Sequence, residues 1–94
     1  MRVVPINQDM DFASMAAMKP LFEELAVSET DICFDLRSVD FIDSSGIGGI
    51  VFVFKRLREK SHGVVLKNVK GQPLRLLQQL RLEFLIAPPA GAVA

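Results

Sequence analysis

Three observations predict an α/β fold built on a mainly parallel, four-stranded sheet with about three helices. Apolar residues recur with a period of two in some segments and at spacings of three and four in others, and the two kinds alternate along the chain. Half of the residues are hydrophobic and no low-complexity tract interrupts them, which is the composition of a chain with a core to build. At 94 residues there is room for one domain and no second lobe. Strands alternating with helices call for right-handed crossovers between parallel strands.

The elements follow in order. Residues 2–6, RVVPI, are β-prone, and Pro5 lacks an amide donor, so this strand belongs at a sheet edge or ends there. From Asp11 to Ala26, Met15, Met18, Phe22 and Leu25 make one helical stripe with Leu21 beside it, and Asp11 or Ser14 can cap its start. Pro20 disfavours α geometry at Lys19, so this helix either kinks there or begins its regular part near Pro20. Ile32, Phe34 and Leu36 alternate with Asp31, Cys33 and Asp35 as a strand. A loop over 37–43 leads to the stripe Ile47, Ile50, Val51, Phe54 and Leu57, a helix that Gly63 would stop. Residues 64–69, VVLKNV, are the next strand. Gly71, Gln72 and Pro73 then punctuate, Leu74, Leu77 and Leu80 mark a third helix to near Leu82, and 83–87, EFLIA, is a last strand. The folded unit therefore spans 1–87, and 88–94, PPAGAVA, with little to bury, is expected to be a flexible tail.

Composition excludes several classes of function. Eleven basic and eleven acidic side chains cancel, so the chain lacks the field that accompanies nucleic-acid or anionic-membrane binding, and the basic run 55-KRLREK-60 reads as a solvated helix face. No apolar stretch approaches the roughly 18 residues of a membrane span, and the N-terminus lacks the apolar region of a signal peptide. The single Cys33 cannot form an internal disulfide, and a cytoplasmic protein is expected. Cys33 and His62 are too few for a metal site, and Asp40 and Asp43 have no acid/base partner signalled. GxSxG, GxGxxG and GxxxxGK[ST] are all absent, and His62 falls at the far end of the helix that follows the only serine pair. Neither an enzyme nor a cofactor site is expected.

The stretch that demands an explanation is 41-FIDSSGIGG-49, which sets an acid, two hydroxyls and three glycines before a strongly apolar helix. Asp43, Ser44 and Ser45 are all good N-caps, but one helix needs one cap. A hydroxyl at a helix N-terminus also suits phosphorylation, since a phosphate there faces unpaired amides and the positive end of the dipole. At about 100° per residue, a buried stripe centred on Ile47, Val51 and Phe54 puts Ser45, Gly49, Phe52 and Arg56 on the opposite side. Phe52 is then either covered by a neighbouring loop or a docking anchor. Gly48 and Gly49 cost about 1 kcal/mol each inside a helix relative to Ala, which favours close approach by another backbone and a contact surface over Gly48, Gly49, Phe52 and Arg56.

The residues 35-DLRSVDFIDSSGIGGIVFVFKRLREKSHGVVLKNV-69 resemble the STAS domain family, in particular the bacterial anti-sigma factor antagonists, and 9-DMDFAS-14 resembles the segment before the family's first helix. The resemblance implies a STAS-like fold and a non-catalytic binding protein. It would dock on a serine-kinase anti-sigma factor when unphosphorylated, take a phosphate from it, and be restored by a PP2C-type phosphatase. It places the phosphate acceptor on Ser45, with Asp43, Ser44, Gly46 and Asp11 supporting the site. Set against that resemblance, the family's N-terminal strand is expected to be missing here, since only about ten residues precede Asp11, and the uncovered edge leaves room for a homodimer. The alternative implied is a structural STAS subunit of a larger complex, such as a lipid-transport ABC system, with no phosphate chemistry. Small-ligand binding, such as a nucleotide, has no phosphate-loop support.

Overall fold

The computed structural model describes residues 1–88. Over them the chain forms β1 (Arg2–Pro5), α1 (Phe12–Ala26), β2 (Ile32–Asp35), α2 (Ser44–Arg58), β3 (Val64–Lys67) and α3 (Gly71–Gln79). The strands are parallel in the order β1-β2-β3, with Val4, Phe34 and Leu66 in register across the sheet. β1 pairs only with β2, so it is an edge among the described residues, and Pro5 closes it where a missing amide costs nothing.

Both crossovers step the same way across the sheet, so right-handed connections put α1 and α2 on one face, where they pack against each other. Val4, Ile32, Phe34, Val64 and Leu66 point into that layer and are buried, and Phe22 of α1 stacks on Phe34 with ring centroids 5.4 Å apart. Burying such aromatic and aliphatic side chains stabilises the fold by roughly 1.5–3 kcal/mol each. Pro20 lies on the exposed side of α1, which runs without interruption from Phe12, so the regular helix does not wait for the proline.

Three expectations need correction. The buried line of α2 is Gly46, Ile50, Val53 and Leu57, whereas Ile47, Val51 and Phe54 are half-buried. The stripe is turned because α2 is covered from two sides, by the sheet and by α1, and not from one. Next, α2 is not stopped by Gly63. Ser61 takes the left-handed conformation (φ 64°) and lets the His62 amide donate to Leu57 O at 2.9 Å, closing the helix two residues earlier. Finally, the strand expected at 83–87 is one bridge: Glu83–Leu85 make a 3-10 turn that buries Leu85, and only Ile86 pairs, with Leu66. The turn follows because Arg81 (φ 58°) has just reversed the chain after α3. Of the tail expected at 88–94, residues 89–94 lie outside the described residues.

Candidate functional site

The two helix starts lie just beyond the carboxyl ends of β1 and β2, the usual position for sites on parallel sheets. Met10 and Ile42, both fully buried, pair in parallel fashion there, with the Met10 amide on Phe41 O at 3.0 Å and the Asp43 amide on Met10 O at 3.2 Å. Each is followed by an aspartate in extended conformation that caps the next helix. Asp11 Oδ1 accepts the Ser14 amide at 2.8 Å, and the Ser14 amide and hydroxyl hold the Asp11 carboxyl below the usual aspartate range. Asp43 does more. Its Oδ1 accepts the amides of Ser45 (2.8 Å) and Gly46 (3.2 Å), and its Oδ2 accepts the amide of Phe12 at 2.9 Å. One carboxylate therefore satisfies orphan donors at the N-termini of both helices.

Gly46 is what lets the helices start so close together. A Cβ there would stand 2.5 Å from Met10 O and 2.5 Å from Ile42 Cγ1, and the carbonyl is backbone and cannot swing aside. Two further side chains hold the segment before α2. Asp9 Oδ1 accepts the amides of Asp40 (2.9 Å) and Phe41 (3.2 Å). From α3, the Gln72 side chain bonds both backbone groups of Ile42, accepting its amide and donating to its carbonyl, each at 2.9 Å. Sequence reasoning missed Asp9 and Gln72, because contacts about thirty residues apart leave no periodic trace.

Ser44 is exposed and Ser45 half-buried. The Ser45 amide is committed to Asp43, while its hydroxyl makes no hydrogen bond among the described residues. Ser45 does not cap α2; Asp43 does. With Phe12, Met15, Ala16, Lys19 and Gly49, Ser45 lines an apolar groove of about 260 Å³ between α1 and α2. Phe12, 76% exposed, stands at the groove's rim, and neither it nor Lys19 carries any signal in the sequence beyond its place in an amphipathic helix.

The residues expected to form a contact surface divide. Phe52 is 37% exposed and lies under the Arg56 guanidinium, 5.1 Å from the ring centroid, so these two do share a face. Around Gly48 there is open space. Gly49 is not free: a Cβ there would meet Met15 Cε at 2.5 Å and the Phe22 ring at 3.2 Å, so the close approach it permits is that of α1. Asp11 caps α1 and makes no hydrogen bond to Ser45 among the described residues. His62 lies beside Asp31 at the opposite end of α2, and Cys33 is buried in β2, where burial pushes its thiol up. No group of three or more metal-ligating side chains occurs among the described residues, and no described helix is long and apolar enough to cross a membrane.

This combination of parallel sheet, paired helix starts and Asp-Ser-Ser-Gly turn belongs to a known class. The chain matches the STAS domain family over residues 1–93 and is a member of it. It is 26% identical over 83 residues to the anti-sigma-B factor antagonist of Bacillus subtilis (strain 168), an alignment covering 88% of this chain and 76% of that protein. Among solved structures, a candidate anti-sigma factor antagonist from Thermotoga maritima is similar with a TM-score of 0.79 and 23% identity, over 94% of this chain and 80% of that one. A sulfate transporter family protein from Wolinella succinogenes is similar with a TM-score of 0.73 and 13% identity, over 90% and 74% respectively. Proteins of such different description sharing one fold means that function must be argued from the site.

Proposed function

We propose that this STAS domain is a non-catalytic, phosphorylation-switched antagonist that docks on a serine-kinase anti-sigma factor while Ser45 is unmodified. The observation that carries the reading is half-buried Ser45, whose hydroxyl makes no hydrogen bond among the described residues and which lines an apolar groove at a helix N-terminus already capped by Asp43. In the switching step Ser45 Oγ attacks the γ-phosphorus of ATP held by the kinase. The Oγ–P bond forms, the bond to the bridging oxygen breaks, ADP leaves, and the hydroxyl proton passes to a base on the kinase. A PP2C-type phosphatase reverses the state by hydrolysis. The product carries about −1.5 to −2 charges on Ser45, and burying that charge against a partner costs several kcal/mol, enough to cut affinity more than about a hundredfold. Phe52 and Arg56, with the open backbone at Gly48, extend the docking face along α2. The β1 edge, unpaired on one side among the described residues, would serve a homodimer, and the cytoplasm would be the place of action.

The deciding experiment incubates the protein with the anti-sigma kinase of its own organism and ATP and follows the intact mass. One added phosphate on the parent and none on Ser45→Ala is expected, with Ser45→Ala still held by the kinase and Ser45→Asp binding poorly. Equal binding by the two variants would remove the switch, and undiminished binding by Phe52→Ala would remove the α2 anchor. A second reading is a structural STAS subunit of a larger assembly such as a lipid-transport ABC system, for which the sulfate transporter family neighbour supplies a shared fold alone. That reading requires no phosphate on Ser45 under any kinase.

A further inference from the structure

We infer that Asp43 couples the Ser45 site to the first turn of α1, so that a phosphate on Ser45 detaches the Phe12 amide and loosens the Phe12 wall of the groove. This rests on the reading of Ser45 as the modified residue and adds a second way in which modification alters the docking face: by position as well as by charge.

The coupling follows from the geometry of one planar group. The Phe12 amide opens α1 and has no partner within its own helix, so its acceptor is Asp43 Oδ2, across 31 residues of sequence. The other oxygen of the same carboxylate holds the Ser45 and Gly46 amides. A phosphate on Ser45 Oγ competes for those two amides, which are natural anion donors at a helix N-terminus, and its charge repels the neighbouring carboxylate. Because Oδ1 and Oδ2 are rigidly joined, the carboxylate cannot leave α2 and keep its grip on α1. The start of α1 then keeps the Asp11 carboxylate on the Ser14 amide and the Asp11 carbonyl on the Met15 amide, two and three residues inward of Phe12, and neither holds the Phe12 amide itself. Phe12 is 76% exposed and its ring has little burial to hold it, so the Asp43 bond is its main tether. Asp43 is thus a positioning residue: it fixes the relation between the two walls of the groove, and modification of Ser45 releases it.

The test uses the full chain made with phosphoserine in place of Ser45, so that no kinase is needed, and reads solvent exchange of the Phe12 amide by NMR. Exchange at Phe12 is expected to rise about tenfold or more on phosphorylation, the loss of a hydrogen bond to a charged acceptor, while core amides such as that of Phe34 stay protected. In Asp43→Ala the unphosphorylated protein should already show the fast Phe12 exchange, and adding the phosphate should change it no further. Unchanged exchange in the phosphorylated parent, or an undiminished effect of phosphate in Asp43→Ala, overturns the coupling. If Asp43→Ala does not fold, the same comparison is made with Asp43→Asn, which keeps the shape but not the charge and should blunt the effect of phosphate at Phe12. A Phe12 amide that ignores the phosphate, in a protein whose kinase binding is still switched, removes this inference alone. A kinase that never modifies Ser45 removes the functional reading and leaves the NMR result standing as a property of the fold.

Discussion

At the start of α1, Asp11 is extended (φ −98°, ψ 177°) and gives one oxygen to one amide, that of Ser14. At the start of α2, Asp43 is extended in the same way (φ −110°, ψ −169°) and gives two oxygens to three amides, those of Ser45, Gly46 and Phe12. The two segments correspond residue for residue: Met10 and Ile42 pair, the caps follow, and Phe12, Ala13 and Ser14 answer to Ser44, Ser45 and Gly46. α1 is the outer start, with room for a side chain at its third position. α2 is the inner one, pressed on Met10 so closely that only glycine fits. The difference shows how one local device can serve both as a plain cap and as a fixed platform. The platform is the start at which the carboxylate does the capping and the Ser45 hydroxyl is not needed for it.

The largest effect that would break this comparison is expected at the third helical position. Gly46→Ala forces a Cβ to within 2.5 Å of a backbone carbonyl and of Ile42, and should destabilise the protein by about 2–4 kcal/mol in urea denaturation. Ser14→Ala, at the matching place in α1, removes only a hydroxyl next to Asp11 and should cost less than about 1 kcal/mol. Similar losses in both would mean that the two starts are packed alike. Next comes the pair of caps. Asp43→Ala abandons three amides on two helices and should cost about 2 kcal/mol, at the upper end for a cap. Asp11→Ala should lose clearly less in the same measurement. If Asp11→Ala proves the costlier, the Phe12 tether contributes nothing to stability.

How much of this was legible in the sequence depended on whether the determining contact was local. The α/β alternation and the stripe of α1 arise from neighbours within a turn or two, and spacing alone reveals them, whereas the α1 cap was narrowed only to Asp11 or Ser14. So does the exceptional character of the Asp-Ser-Ser-Gly turn. The rotation of the buried line of α2 was hidden, because it depends on α1 reaching Gly49 through Met15 and Phe22. Gly48 and Gly49 look equivalent in sequence, and only tertiary packing separates them. The division of labour between Asp43 and Ser45 was hidden too, since either side chain can cap a helix and only the tertiary structure shows that Asp43 does. Gln72, which pairs with Ile42 as a strand would, reads in sequence as part of a Gly-Gln-Pro punctuation.

The smallest expected effect is also the one that best separates packing from recognition along α2. Gly49→Ala gains helix propensity but pushes on the Met15 methyl and the Phe22 ring; the methyl can swing away and the ring is only slightly too close, so the two contributions should nearly cancel. Gly48→Ala meets nothing and should stabilise the helix by about 1 kcal/mol, seen as a higher denaturation midpoint with an unchanged slope. Nothing among the described residues then explains a glycine at position 48, and partner binding by this stabilised variant becomes informative. Weakened binding would show that the bare backbone at Gly48 is kept for close approach by another protein. Unchanged binding would confine the docking face to the groove beside Ser45 and the Phe52–Arg56 pair.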